Sequence, residues 1–466
     1  MSKKDLSPEE KAAQTAEFKA YLDDKLAKAK RALEELNPYT QEKIDALVKA
    51  CAKAVFDNAE ELAKDAVEET GIGVYEHKVL KNKNKAKIIW WSLRGKKSVG
   101  IIEHDKTAGI VKVANPVGVV GAITPMTNPS VTVMSNAMFA LKGRNSVIFS
   151  AHPRAVRCCA KTVACINAAL QKLGAPDNAI QILEKSGIEL TQMLSRNVDV
   201  VIATGGMDMV RSVYASGKPA LGVGSGNVQA LVDRDVDLGD AIAKIIAGRA
   251  FDNGIICSGE QAAIIPREDF DQAMRVFSAN GAYVVPDSER DRLRKAIFPE
   301  GHMSRDLVGK SAKAVAEAAG IKIPAGATIL VVEAEDAGDV LGWEKMFPVI
   351  ASYRYDTWEE AVQIARANLK KIGIGHTIAV HSNNDKHIEY AGVHTEVSRI
   401  VVNQSCAATA GGSFQNGLSP TNTLGCGSWG NNSISENLTY YHLINISRIA
   451  YFMQDNKIPT DAEIWA

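Results

Sequence analysis

The spacing of apolar residues changes character along the chain. Over residues 8–35 the sequence is charged and alanine-rich, and Phe18, Leu22 and Leu26 recur every four residues, a helical spacing. Such a stretch reads as a surface helix with a solvated charged face. Asn37-Pro38-Tyr39-Thr40 breaks it. Thr40, with Lys43 and Ile44 behind it, starts a long helical stretch, and Glu68-Glu69-Thr70-Gly71 ends the next, with glycine as the stop.

From about residue 98 the period shortens. Ser98–Glu103 and Gly109–Ala114 are β-rich runs around Asp105-Lys106-Thr107, which predicts a hairpin. Short apolar runs then alternate with helical patterns: Val117–Thr124, Ser146–Ser150, Ala179–Leu183 and Val198–Thr204. A second set follows at Val228–Val232, Ala262–Ile265, Ile329–Val332 and His376–Val380, with helices at 237–250 and 358–370. Strands separated by helices predict an α/β fold with parallel sheets and crossover helices. Residues 405–432, rich in Gly, Ser, Asn and Thr, read as loop, and Leu443–Ile449 reads as a last strand.

Composition narrows the class. A chain of 466 residues holds two or three domains. Lys+Arg and Asp+Glu balance at 54 each, so neither nucleic acid nor an anionic membrane is expected as a partner. No apolar run has the length of a membrane span, and MSKKDLSPEEKAAQ has no signal-peptide core. Seven unevenly spaced cysteines form neither a disulfide framework nor a zinc site. A reduced, cytoplasmic setting with no metal is expected.

Candidate chemistry lies at strand ends and turns. Cys257 follows a glycine-containing turn, and Asn253, Gly254, Ser258 and Gly259 around it suit close approach better than packed core. A thiolate there could attack a carbonyl carbon and form a covalent intermediate. Thr124-Pro125-Met-Thr-Asn128-Pro129 follows a strand, and the Asn128 amide could stabilise a developing oxyanion. Thr204-Gly205-Gly206 also follows a strand and precedes a helix, an arrangement that can seat an anion or form only a tight turn. Ser150-Ala-His152-Pro-Arg154 follows another.

The nucleophile run Phe251–Gln261 resembles that of the aldehyde dehydrogenase superfamily, in its coenzyme-A-acylating branch. The segments Gly375-His376-Thr377, Ser398–Gln404, Ala410–Gly417, Thr423–Asn437 and Ser433–Tyr440 are similar to those of acylating members, and the resemblance spans about residues 25–466. It implies a Rossmann-type nucleotide domain (1–97 and 115–231), a catalytic domain (232–432) and an oligomerisation arm (98–114 and 433–466) of a homodimer or homotetramer. It implies Cys257 as nucleophile, and Asn128 with the Cys257 amide as oxyanion donors. Thr124, Pro125, Thr204, Gly205, Gly206, Gly222 and Gly224 would face the nucleotide. Glu344, in Glu344-Lys-Met-Phe-Pro-Val349, would hold the nicotinamide ribose. Ser150, His152 and Arg154 would meet the adenosine ribose; a 2′-phosphate on Arg154 or His152 leans the expectation to NADP over NAD.

Hydrolytic relatives read Glu-Leu-Gly-Gly-Lys-Ser-Pro where this chain has Gly222-Val-Gly224-Ser-Gly-Asn227. The missing glutamate activates water, so the acyl-enzyme is expected to await a thiol, coenzyme A. The resemblance implies a short aldehyde with an anionic far end: succinate semialdehyde first, sulfoacetaldehyde second, acetaldehyde or propionaldehyde otherwise. Lys81, Lys83, His376 and Ser258 are candidate partners for that end, and His376 reads equally as a packing histidine. Cys426, in a glycine-rich loop, is the rival nucleophile. Some relatives carry an N-terminal peptide that docks into bacterial microcompartments, the other reading of residues 8–35.

Overall fold

Four helices precede any strand: α1 (Pro8–Leu36), α2 (Gln41–Asp57), α3 (Ala59–Thr70) and α4 (Tyr75–Leu93). The structure, a computed structural model, describes residues 7–336 and 338–466, so part of the stretch read for a signal-peptide core lies outside it. Ser7 caps α1 through a reciprocal capping box with Glu10. Thr40 caps α2, and Gly71, in the left-handed region at φ 69°, ends α3 as expected.

Valine- and isoleucine-rich runs, buried on both faces, then build a five-stranded parallel sheet. Strands β1 (Gly100–Asp105) and β2 (Ile110–Pro116) form the expected hairpin before it. β3 (Val119–Thr124), β4 (Ser146–Ala151), β5 (Ile180–Ile182), β6 (Val200–Thr204) and β7 (Ala220–Val223) follow, in spatial order β5-β4-β3-β6-β7. The order reverses between β3 and β6, and a crevice at such a switch point is where open parallel sheets bind ligands. Its crossover helices are α5 (Pro129–Lys142), α6 (Val156–Gln171), α7 (Ile188–Asn197) and α8 (Met207–Tyr214).

The second sheet has seven parallel strands: β8 (Val228–Val232), β9 (Glu260–Pro266), β10 (Ala282–Val285), β11 (Ile329–Glu333), β12 (Val349–Tyr355), β13 (Gly375–His381) and β14 (Val397–Val402). Their order is β10-β11-β12-β9-β8-β13-β14, and α9 (Leu238–Ala250) leads from β8 towards β9. β15 (Ile444–Ala450) returns to pair with β2 in antiparallel register, Ile446 opposite Ala114.

The periodicity missed four strands: 220–223, 282–285, 349–355 and 397–402. Each is short or carries Arg, Tyr or Gly within the apolar run. The 405–432 loop also holds two helical turns, Cys406–Thr409 and Ser428–Gly430. The largest correction concerns α1, which is more than a solvated surface helix. Leu22, Leu26 and Ala29 pack on Val119, Ile123, Ile148 and Ala203, closing one face of the five-stranded sheet. Each buried leucine contributes about 1.5–3 kcal/mol. Thr15 Oγ1 donates to Glu189 Oε1 at 2.5 Å, and the Glu184 amide donates to the Tyr21 hydroxyl at 3.1 Å. The helix thus buttresses the 184–189 segment at the rim of the crevice.

Candidate active site

The carboxyl ends of β3, β4, β6 and β7 face loops at the amino ends of β8, β9 and β12, and a cavity of about 320 Å³ opens between them. Its lining includes Thr124, Pro125, Ser150, His152, Thr204, Gly205, Gly206, Gly224 and Glu344. Burial pushes the Glu344 carboxyl up, against the Ser225 hydroxyl and the Gly226 amide, which favour its charged form. That amide donates to Glu344 Oε1 at 3.1 Å.

A second cavity of about 330 Å³ lies on the other side of Cys257, walled by Lys81, Asn84, Lys85 and Ile88 of α4 and by Ser258, Ser405, Thr421 and Asn422. Cys257, Asn128 and Asn422 line both cavities. A thiol and an amide therefore stand where the two spaces meet.

The nucleophile segment is fixed at both ends by Arg249, at the end of α9. Its fully buried guanidinium donates to Gly254 O at 2.9 Å, Glu260 O at 3.2 Å and Lys345 O at 2.6 Å. Burial lowers the Arg249 pKa to about 10, with Glu260 and Glu344 opposing. A Cβ at Gly226 would stand 2.2 Å from Cys257 O, so only glycine lets the β7–β8 connection pass behind the nucleophile. Burial pushes the Cys257 thiol up to about 11, helped by Glu344; Arg399 and the amides of Ser258 and Cys257 pull the other way.

Asn128 ends the loop after β3, and Pro129 opens α5 behind it. Its Oδ1 accepts from Lys81 Nζ at 2.6 Å. Lys81 and Lys78 both reach Asp252 Oδ2, at 2.6 Å and 3.1 Å. Asp252 and Asn253 both have left-handed backbone, φ 52°. Asp252 Oδ1 accepts from the Val74 amide at 2.8 Å, and the Asp252 amide donates to His77 Nδ1 at 2.9 Å.

Several expected residues stand elsewhere. The Arg154 guanidinium donates to Thr70 O at the end of α3 and does not line the cleft. Gly222 sits in β7 with the Tyr214 hydroxyl on its amide at 3.1 Å, and a Cβ there would meet Val210 and Tyr214 at 2.9 Å. It lines neither cavity; Val223 and Gly224 do the lining. His376 is fully buried behind the nucleophile, with both ring nitrogens unpartnered among the described residues, and burial with Arg399 lowers its pKa to about 3. It lines neither cavity. Lys83 pairs with Glu60 at 2.8 Å on the exposed side of α4. Cys426 is buried with its thiol on Leu424 O and lines neither cavity.

Sequence reasoning missed Lys85, Asn422, Asp252 and Arg249. For Lys85 a signal existed: Lys81, Lys85 and Ile88 recur at helical spacing, which puts two charges on the face that carries an apolar residue. Among the described residues, no group of three His, Cys, Asp or Glu could hold a metal, and no helix is long and apolar enough to cross a membrane.

A nucleotide-type crevice in one parallel sheet, closed by a thiol carried on a second, defines an α/β oxidoreductase architecture. The chain belongs to the aldehyde dehydrogenase family, whose model matches residues 7–293, beginning well before the limit at residue 25 drawn from sequence. It is 52% identical over 443 residues to the succinate-semialdehyde dehydrogenase (acetylating) of Clostridium kluyveri, covering 94% of this chain and 98% of that one. Its fold matches the crystal structure of an acetylating aldehyde dehydrogenase from Geobacillus thermoglucosidasius with a TM-score of 0.92, at 35% identity over 96% of this chain and 99% of that one. It also matches a propionaldehyde dehydrogenase of Rhodopseudomonas palustris with bound CoA and an acylated cysteine, with a TM-score of 0.84 and 28% identity over 92% and 96% of the two chains.

The raised thiol predicts a pH profile. A pKa above the ordinary value depletes the thiolate at neutrality, so alkylation of Cys257 by iodoacetamide in the nucleotide-free protein should accelerate about tenfold per pH unit from 7 to 10. Peptide mass mapping of the alkylated site checks this; a plateau near pH 8.5 would show that burial does not control the thiol.

Proposed function

We propose that the protein oxidises succinate semialdehyde with coenzyme A and NAD(P)⁺ to succinyl-coenzyme A, reversibly, through a thioester on Cys257. The observation that carries this is the position of Cys257 and Asn128 at the junction of both cavities. The sulfur adds to the aldehyde carbon, and the oxygen takes up negative charge opposite the Asn128 amide and the Cys257 N–H. Thr204–Gly206, Ser150 and Glu344 would hold the dinucleotide in the crevice, and it would supply the acceptor for the hydride that leaves the aldehyde carbon. The thioester left on Cys257 then passes its acyl group to the coenzyme A thiol, which regenerates the cysteine.

Gly222 supports acyl transfer to a thiol. At the position where hydrolytic relatives carry their water-activating glutamate, a Cβ would stand 2.9 Å from Tyr214 and Val210, so a side chain there requires both to shift. Without coenzyme A, the protein should therefore give one burst of reduced cofactor per active site and little after; sustained turnover with water would refute the reading. With Arg154 committed to Thr70, His152 is the group at the crevice left to distinguish a 2′-phosphate from a 2′-hydroxyl, and the expectation for NADP over NAD loses its stronger support.

The substrate cavity supports an anionic far end. Lys85 Nζ donates to Gly411 O at 2.8 Å and Thr421 O at 3.2 Å, and Ser258 and Lys81 share its cavity. Burial, and Lys81 nearby, lower the Lys85 pKa to about 8. A carboxylate entering the cavity needs such charge-assisted donors to offset lost hydration. Lys85→Met should raise KM for succinate semialdehyde by roughly ten- to a hundredfold, the worth of one charged hydrogen bond, and leave butanal within a few-fold. In the parent, KM for succinate semialdehyde should rise above about pH 8, where Lys85 loses its proton. Equal kcat/KM for butanal and succinate semialdehyde would return the assignment to a neutral short-chain aldehyde.

We further propose a homo-oligomer built through residues 98–114 and 433–466, with residues 1–97 and 115–231 as nucleotide domain and 232–432 as catalytic domain. Ile101, Ile449, Tyr451 and Phe452 are exposed on or beside the three-stranded sheet, an apolar strip that a second copy could cover. Light scattering at micromolar concentration should give at least a dimer; a monomer refutes it.

A further inference from the structure

We propose that Lys81 is a positioning residue that fixes which end of the Asn128 amide faces the aldehyde oxygen; this rests on the reading of Asn128 as an oxyanion donor. An ammonium has donors and no acceptor, so only the carbonyl end of the amide can face it. Lys81 Nζ stands 2.6 Å from Asn128 Oδ1. The amide's –NH₂ end is thereby turned away from the lysine. One of its N–H bonds goes to Thr127 Oγ1 at 3.3 Å, and the other has no partner among the described residues.

The orientation matters because the two ends of an amide have opposite effects on an oxyanion. Turned by 180°, Asn128 would present a carbonyl dipole to the developing negative charge and raise the barrier it should lower. Rotation about an Asn side chain's last bond is soft, so a lone Asn holds no such preference by itself. The lysine supplies it, and its charge further polarises the amide as a donor.

Lys81 is held in its turn. Asp252, its side chain fully buried, accepts from Lys81 at 2.6 Å and from Lys78 at 3.1 Å, with the Val74 amide on its other oxygen at 2.8 Å. Lys78 also reaches Thr127 O at 3.3 Å. Asp252 lies in the left-handed turn that leads to Cys257. One helix, α4, thus ties the oxyanion loop to the nucleophile turn, and the line Asp252–Lys81–Asn128 sets one donor relative to the thiol.

Lys81 also lines the substrate cavity, so the test must separate positioning from anion binding. Acyl-coenzyme A formation is measured for the parent, Lys81→Met, Asn128→Ala and the double variant, with succinate semialdehyde and with butanal. The expected result is a fall in kcat of about a hundredfold for Lys81→Met with both aldehydes, the scale of one lost oxyanion donor, with KM changed only a few-fold. The double variant should be no more than about threefold slower than Asn128→Ala, because both changes remove one function. Lys81→Arg should restore part of kcat. An effect confined to KM for succinate semialdehyde, or effects that multiply in the double variant, overturns the proposal.

Should Lys81→Met unfold, Asn128→Asp decides. It keeps an oxygen for Lys81 and loses the N–H donors, so it should melt above Asn128→Ala and be as inactive. Melting at or below Asn128→Ala, or keeping more than a tenth of parental kcat, overturns the proposal. The functional reading fails separately, if the parent forms no acyl-coenzyme A from any aldehyde; the melting comparison still decides the Lys81 contact.

Discussion

The segment that carries Cys257 depends on one buried guanidinium. Arg249 accepts desolvation in return for hydrogen bonds to carbonyls on both sides of Cys257 and on the 345–347 loop. Removing it would take the donor from the Gly254 carbonyl, at about 1–3 kcal/mol, while the Lys345 carbonyl would keep Gln261 Nε2 at 2.9 Å. Glu344, on the same loop, lines the crevice of the five-stranded sheet, so the clamp that shapes the Cys257 segment also bears on its distance from that crevice. The arginine's own carrier, α9, is ordinary: an Asp237 N-cap and an apolar face against the seven-stranded sheet.

Much of this architecture was legible in the chain. The apolar run Val228–Val232 matches its strand to the residue, and the runs of the five-stranded sheet match theirs within one or two residues except at β7, because apolar runs between helices leave few alternatives. β7 was missed because Gly222 and Gly224 look like a turn, whereas Gly222 is a strand residue kept bare by Tyr214 and Val210. The cavity lining was legible where backbone placed it: strand ends gave Thr124, Asn128, Ser150 and Thr204. It was illegible where side-chain direction decided. Arg154 turns to a helix end, His376 is sealed behind the thiol, and Lys85 points in from a helix whose charges read as solvated.

The charge distribution around the site follows from which groups find partners. Asp252 is held below its ordinary range against its own burial, by Lys81 and Lys78. Glu260 accepts from the Cys406 amide at 2.6 Å, yet burial dominates and raises it to about 7. Two carboxylates within nine residues thus differ because one has two ammonium neighbours and the other mainly backbone amides.

The packing at Gly222 bears on how readily such a site could change its acceptor. Tyr214 is bonded to both the amide and the carbonyl of Gly222, and Ser433 from the chain's last segment donates its amide to the same hydroxyl. A side chain introduced at 222 would have to displace the tyrosine, and with it the seam joining α8 to the stretch before β15. A preference for one nucleophile over water is then held by the tertiary structure at large, not by a single vacant position. A glutamate placed at 222 would therefore disturb helix and tail together before it could act on water.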